Sequence, residues 1–190
     1  YYPYNFYNRD MTKIPVSYVG QTQKGNNNTD HIGAYDFMAA SVATPSNGAV
    51  AFNMQHLGAL LRIQFVVPDN MLIKKTQLVT FDEDFTTDGY VDLCQQSPSI
   101  VATKMSNAVS IESTIFVEKN DLATIYMMIA PTNLSGKTLD IVVESNDGFI
   151  YRTPVECNTQ IFEAGKIYAL TGTIVQERTS QLVDGPTFKS

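Results

Sequence analysis

The sequence has no tryptophan, only two histidines and two cysteines among its 190 residues, and little charge of either sign. Each shortage excludes something. Thirteen Lys and Arg against nineteen Asp and Glu give a formal net charge of −6, the wrong sign for gripping nucleic acid or an anionic membrane surface. Apolar runs last a few residues, where roughly 20 are needed to cross a bilayer as a helix, and no charged start with an apolar stretch opens the chain. These features predict a soluble, mature or truncated segment. Cys94 and Cys157 are too few to staple a miniprotein and lack the C-x-x-C spacing of zinc or redox sites. The default expectation is two separate buried thiols. A bond between them would add about 4 kcal/mol by loop closure and would imply an oxidising compartment.

What is present points to β structure. Val, Ile and Thr make up about a quarter of the residues and aromatics a further 11%, and these side chains suit a pleated, half-buried surface. The chain is long enough for a sizeable core in one large domain or two small ones.

The first 50 residues read as short extended pieces broken by turns, around Pro3 and Pro15, followed by a polar stretch from Gln21 to Asp30. Within it Lys24-Gly25-Asn26-Asn27-Asn28 is the most loop-like run, with nothing to bury and residues that tolerate positive φ. Asp36 to Ala40 is expected to form one helical turn capped by Asp36, and residues 45–48, Pro-Ser-Asn-Gly, a turn. From Leu57 onward the alternation of Leu61, Ile63, Phe65 and Val67 predicts a strand, because Gly58 weakens a helix by about 1 kcal/mol. Ile73 to Phe81 would pair with it as a hairpin. Strands follow at Ser110–Glu118, Ala123–Ala130, Thr138–Glu144, Phe149–Val155 and Lys166–Val175, at the spacing typical of sandwiches and barrels. Asn146-Asp147-Gly148 is the strongest hairpin signal, since Asp-Gly supplies the positive φ of a primed turn. In the last strand Tyr168, Leu170 and Ile174 share one face and Thr171 and Thr173 the other. A domain break is expected within Phe81–Gly89, dividing the chain into 1–85 and 86–190.

Chemistry is sparse. No G-x-S-x-G elbow, P-loop or dinucleotide fingerprint occurs. His31 falls in a polar loop and His56 at the head of a strand, where a hydrogen-bonded imidazole is the expected role. Asp82, Glu83 and Asp84 are adjacent and diverge as a solvated acidic loop would, unlike a facing acid/base pair. Asp84-Phe85-Thr86-Thr87-Asp88-Gly89 half-matches a calcium loop, but Thr86 replaces the middle acid and Gln95 stands where a bidentate Glu belongs. The ten tyrosines invite a glycan-stacking reading, yet Tyr1, Tyr2, Tyr4 and Tyr7 sit in strand-like context where cross-strand packing accounts for them. Asn27-Asn28-Thr29 and Asn133-Leu134-Ser135 fit the N-glycosylation pattern and mark exposed loops. No residue is assigned to catalysis, to a cofactor or to a metal.

The order of several patches resembles the fimbrillin-like proteins of Bacteroides and relatives. They are Tyr1-Tyr2-Pro3-Tyr4, Asp36-Phe37-Met38-Ala39-Ala40, residues 50–63 from Val50 through His56 to Ile63, Met127-Met128-Ile129-Ala130-Pro131 and Ala164-Gly165-Lys166-Ile167-Tyr168. The resemblance implies an all-β fold of tandem transthyretin-like, Greek-key sandwiches, with the N-terminal one incomplete: 1–85 would be its C-terminal part and 86–190 the C-terminal sandwich. It also implies export as a lipoprotein, a place at the cell surface, fimbrium or outer membrane, and a non-enzymatic role as pilus subunit, anchor or tip adhesin. Its partners would be other fimbrial subunits joined by strand exchange, and host or bacterial surface proteins or glycans. The C-terminal strand Lys166–Val175 or the tail 181–189 is the expected participant. A different class, a glycan-binding module of a surface nutrient-uptake system, is the alternative, with a hydrolase a distant third.

Overall fold

The computed structural model describes residues 1–4, 10–40, 52–157 and 161–177. The expectations for Tyr7, for the turn at 45–48 and for the tail 181–189 lie outside these residues. Among the described residues the only helix is a single 3-10 turn, Ile32–Ala34. Asp36–Ala40 is not the expected helical turn. Met38–Ala40 forms strand β3, paired antiparallel with β4, Met54–His56.

The centre of the molecule is a β-sandwich. Strand β5, Ala59–Val66, alternates as its sequence predicts: Ala59, Leu61, Ile63 and Phe65 have no exposure, while Arg62 and Val66 face out. It lies between β10, Leu122–Ile129, antiparallel, and β15, Ile167–Thr173, parallel. The facing sheet runs β16 (Val175–Gln176), β13 (Ile150–Cys157), β12 (Lys137–Ser145), β6 (Met71–Val79), β9 (Ala108–Val117) and β2 (Gln21–Gln23). One buried cluster joins the two sheets through Leu61, Ile63, Phe65, Ile73, Leu78, Ile111, Ile125, Met127, Ile141 and Leu170. Fully burying a side chain of this kind stabilises by about 1.5–3 kcal/mol.

β5 and β6 are not a hairpin. Each presents its apolar face inward, so the turn at Pro68-Asp69-Asn70 carries the chain across the core from one sheet to the other. The hairpin at residues 146–148 does form between β12 and β13, with Gly148 at φ 82°. In β15 Leu170 is buried and Tyr168 half-buried on one face, with Ile174 buried beyond it; Thr171 and Thr173 are exposed on the other.

At the lower end sits a second, smaller cluster of Ile14, Val16, Tyr18, Ala39, Leu57, Val91, Met128 and Ala130. It is covered by an antiparallel sheet of β1 (Ile14–Ser17), β7 (Phe85–Val91) and β8 (Ile100–Ser106). A short pair, β11 (Thr132–Asn133) with β14 (Ile161–Phe162), completes the described strands.

Strands from both sides of residue 85 share the two sheets of the sandwich. β5 and β6 precede that point, yet each is an interior strand of its sheet, flanked by strands that follow it. The cluster of acids and threonines that suggested a boundary is the entry to β7, whose residues alternate buried and half-exposed from Phe85 to Val91.

Candidate functional site

The residues with chemical potential are scattered, and most are occupied structurally. His56 Nδ1 lies 2.7 Å from Asp36 Oδ1, tying the head of β4 to the segment before β3. The pair opens on a cleft of about 150 Å³ lined by Ile32, Gly58, Leu60, Met128, Lys166 and Ile167 among others. Among the described residues no Ser, Thr or Cys lines it. His31 Nε2 lies 3.0 Å from the carbonyl oxygen of Tyr126.

The acidic loop is only partly solvated. Asp82 and Glu83 are exposed, but Lys137 pairs with Asp84, whose carboxylate is largely enclosed. The hydrogen bond to Asp84 raises the Lys137 pKa and keeps it charged. The residues that half-match a calcium loop form strand β7, which sends Thr86 and Asp88 to the opposite face from Thr87. Asp88 receives the Ser17 hydroxyl at 2.7 Å. Cys94 is a free, exposed thiol, against the expectation of burial. Asn27 and Asn133 are exposed as the glycosylation pattern predicts, and the Asn27 side chain accepts the Tyr126 hydroxyl at 2.8 Å. Tyr1 and Tyr4 rings meet with centroids 5.5 Å apart, and Tyr2 bridges Met38 through two backbone hydrogen bonds.

The surface with the most developed chemistry is the set of sheet edges. The open edge of β10 is sealed by side chains in place of a strand. Gln21 Nε2 donates to Met128 O at 2.7 Å and its Oε1 accepts Met128 N–H at 2.8 Å. Gln23 repeats this with Thr124 O and Tyr126 N, and Asn26 with Leu122 O and Thr124 N. His31 takes the remaining carbonyl of Tyr126. The backbone of β2 meanwhile pairs in parallel with β9, so three residues close one flank of the sandwich against both sheets. Gln21 and Gln23 are almost completely buried. The sequence reading missed them because a run of Gln, Lys and Asn looks like a loop. The available signal was Gln-Thr-Gln, a polar pair at strand spacing.

On the opposite flank the chain itself crosses, leaving β15 in one sheet and entering β16 in the other through buried Ile174. The sheets touch here: a Cβ on Gly172 would lie 2.7 Å from Thr153 Cγ2. Among the described residues no strand pairs with the far side of β15 or of β8.

A nearly all-β chain with engaged polar groups and managed edges suits a scaffold, and a family model described as fimbrillin-like matches residues 1–188. The chain belongs to the fimbrillin-like family. Among solved structures, this fimbrillin-like chain is similar to a presumed cell adhesion protein of Bacteroides uniformis, with TM-score 0.55, 16% identity and coverage of 93% of this chain and 68% of that one. A second presumed cell adhesion protein, from Bacteroides ovatus, gives TM-score 0.55 and 17% identity over 93% of this chain and 64% of that one. The fimbrillin-like chain thus spans about two thirds of the length of each. At such identities the likeness shows the fold. No curated protein matches the sequence.

Proposed function

We propose that this fimbrillin-like chain is a non-enzymatic, exported cell-surface protein of a fimbrium, serving as subunit, anchor or tip adhesin and joining other fimbrial subunits by β-strand exchange. The observation that carries the reading is the family match along residues 1–188. The description of both structural neighbours as presumed cell adhesion proteins supports the surface role. That no strand among the described residues pairs with the far side of β15 supports the mechanism, since a row of N–H and C=O groups along an open edge is what an extended segment recognises.

Negative-stain microscopy of the purified chain, with and without trimming of its N-terminus, tests this. Filaments or end-to-end oligomers are expected, and deleting residues 181–190 is expected to reduce them. Assembly unchanged by that deletion removes the tail from the mechanism and leaves β15. A chain that stays monomeric after trimming and binds no donor strand overturns the polymerising role. The glycan-binding alternative rests on the exposed rings of Tyr2 and Tyr4. It requires retention on polysaccharide that Tyr2→Ala and Tyr4→Ala abolish.

A further inference from the structure

Phe81 is the most exposed large apolar side chain described, at 97%. It stands in the loop between β6 and β7, and that loop is pinned on both sides of it. Thr80 N–H donates to the Asn107 carbonyl and the Thr80 hydroxyl to the Asp82 carbonyl, each at 2.8 Å. Thr132 Oγ1 donates to the Asp84 carbonyl at 2.8 Å, and Lys137 pairs with the carboxylates of Asp82 and Asp84. A ring presented by a loop already fixed loses little freedom when a partner covers it. Phe116, 60% exposed, is placed differently, lying along β9 beside Leu72 of β6. Next to Phe81, Glu83 is exposed, and no cation among the described residues pairs with it.

The cleft beside His56 is the matching concavity. Its volume is about 150 Å³, and a cavity of about that size accepts a benzene ring. Ile32, Leu60, Met128 and Ile167 supply its apolar lining, and Ile167 is 73% exposed. Asp36 is engaged by His56. The ammonium of Lys166, which pairs with no carboxylate among the described residues, is therefore the uncompensated charge of the cleft.

We propose that Phe81 of one copy of this chain inserts into the cleft of a second copy, where Glu83 of the first meets Lys166 of the second. Size and charge together choose the occupant. The cleft takes one aromatic ring, and the chain carries one on a fixed loop that, at 97% exposure, does not fill the cleft of its own copy. An unpaired anion stands beside the ring and an unpaired cation beside the cleft. In a chain of net charge −6, most other approaches of two copies bring like charges together, whereas this one sets opposite charges face to face. Ring and cleft are different patches of surface, so the contact is heterologous and needs no exchange at β15.

Carbodiimide coupling of an equal mixture of heavy-isotope-labelled and unlabelled 190-residue chain is expected to join Glu83 to Lys166 in peptides of mixed isotope, which only two different copies produce. Phe81→Ala should cut the yield of that link at least about tenfold. In sedimentation velocity at low salt, Glu83→Lys and Lys166→Glu should each raise the dissociation constant roughly three- to tenfold, and the two together in one chain should restore association to within about twofold of the parent. The side chains are exposed, so circular dichroism spectra should not change. Absence of the mixed-isotope link overturns the proposal. A link whose yield ignores Phe81→Ala does so too, as does a double reversal that associates no better than either single variant. Deletion of residues 181–190 should leave the link in place, so that failure of this contact and failure of the proposed exchange at the chain's end are read separately.

Discussion

His31 shows how a single side chain ties stability to pH. Its Nε2 faces the Tyr126 carbonyl and therefore donates, which leaves Nδ1 as a bare acceptor, buried and without a hydrogen-bond partner. Burial lowers the pKa below the ordinary 6.5, and this outweighs the Tyr126 hydrogen bond and nearby Asp30, which act in the opposite sense. Because the unfolded chain takes up the proton first, the contribution is complete above about pH 6.5 and is lost as pH falls toward the lowered folded value. Urea midpoints between about pH 5 and 7.5 should fall on acidification, and His31→Gln, which can still donate to Tyr126, should flatten that slope. Tyr18 offers a second test. Its hydroxyl is buried beside Gly58 without a partner, and burial pushes its pKa far above the usual tyrosine value. Tyr18→Phe removes an unpaired buried dipole and should raise thermal stability by about 1 kcal/mol. Gly58→Ala should cost about 1–3 kcal/mol, because the added carbon would lie 2.6 Å from Tyr18 Oη and 3.1 Å from the Ile129 carbonyl.

Among the elements, β2 combines small size with many roles. Replacing Gln23 with Leu keeps the shape but strands Tyr126 N–H, while Thr124 O retains the Asn27 N–H at 3.1 Å, so a loss of about 1–3 kcal/mol in denaturant unfolding is expected. Amide exchange at Tyr126 should quicken as well. A glutamine acting as a substitute strand is not visible in a sequence, since its value depends on which edge it meets. The strands that alternate cleanly were legible: β5, β9, β10, β12 and β13 stand close to where Leu61, Ile63, Phe65 and the Asp147-Gly148 turn placed them. β7 was not, because Thr86, Thr87, Asp88 and Gly89 read as loop chemistry while tertiary contacts with β1 and β8 hold them extended. The β5–β6 hairpin was misread because one apolar pattern serves a strand pairing with its neighbour and a strand facing it across a core. The His56–Asp36 contact was half legible: a bonded imidazole was expected, its partner was not.

For the whole molecule, both sheets depend on strands from either side of residue 85. A fragment of residues 86–190 lacks the central strand β5 and the interior strand β6, so it should give neither a cooperative unfolding transition nor dispersed amide resonances, whereas the full chain should give both. The same wiring governs when the protein can fold. β5 is complete by residue 66, but its parallel neighbour β15 is roughly a hundred residues downstream, and the flank stays open until Ile174 crosses to β16. Pairings so distant in sequence form slowly, after the loop-closure entropy between them has been overcome. An emerging chain therefore has no finished sandwich until almost all of residues 59–176 are available, so closure of the core comes late in synthesis.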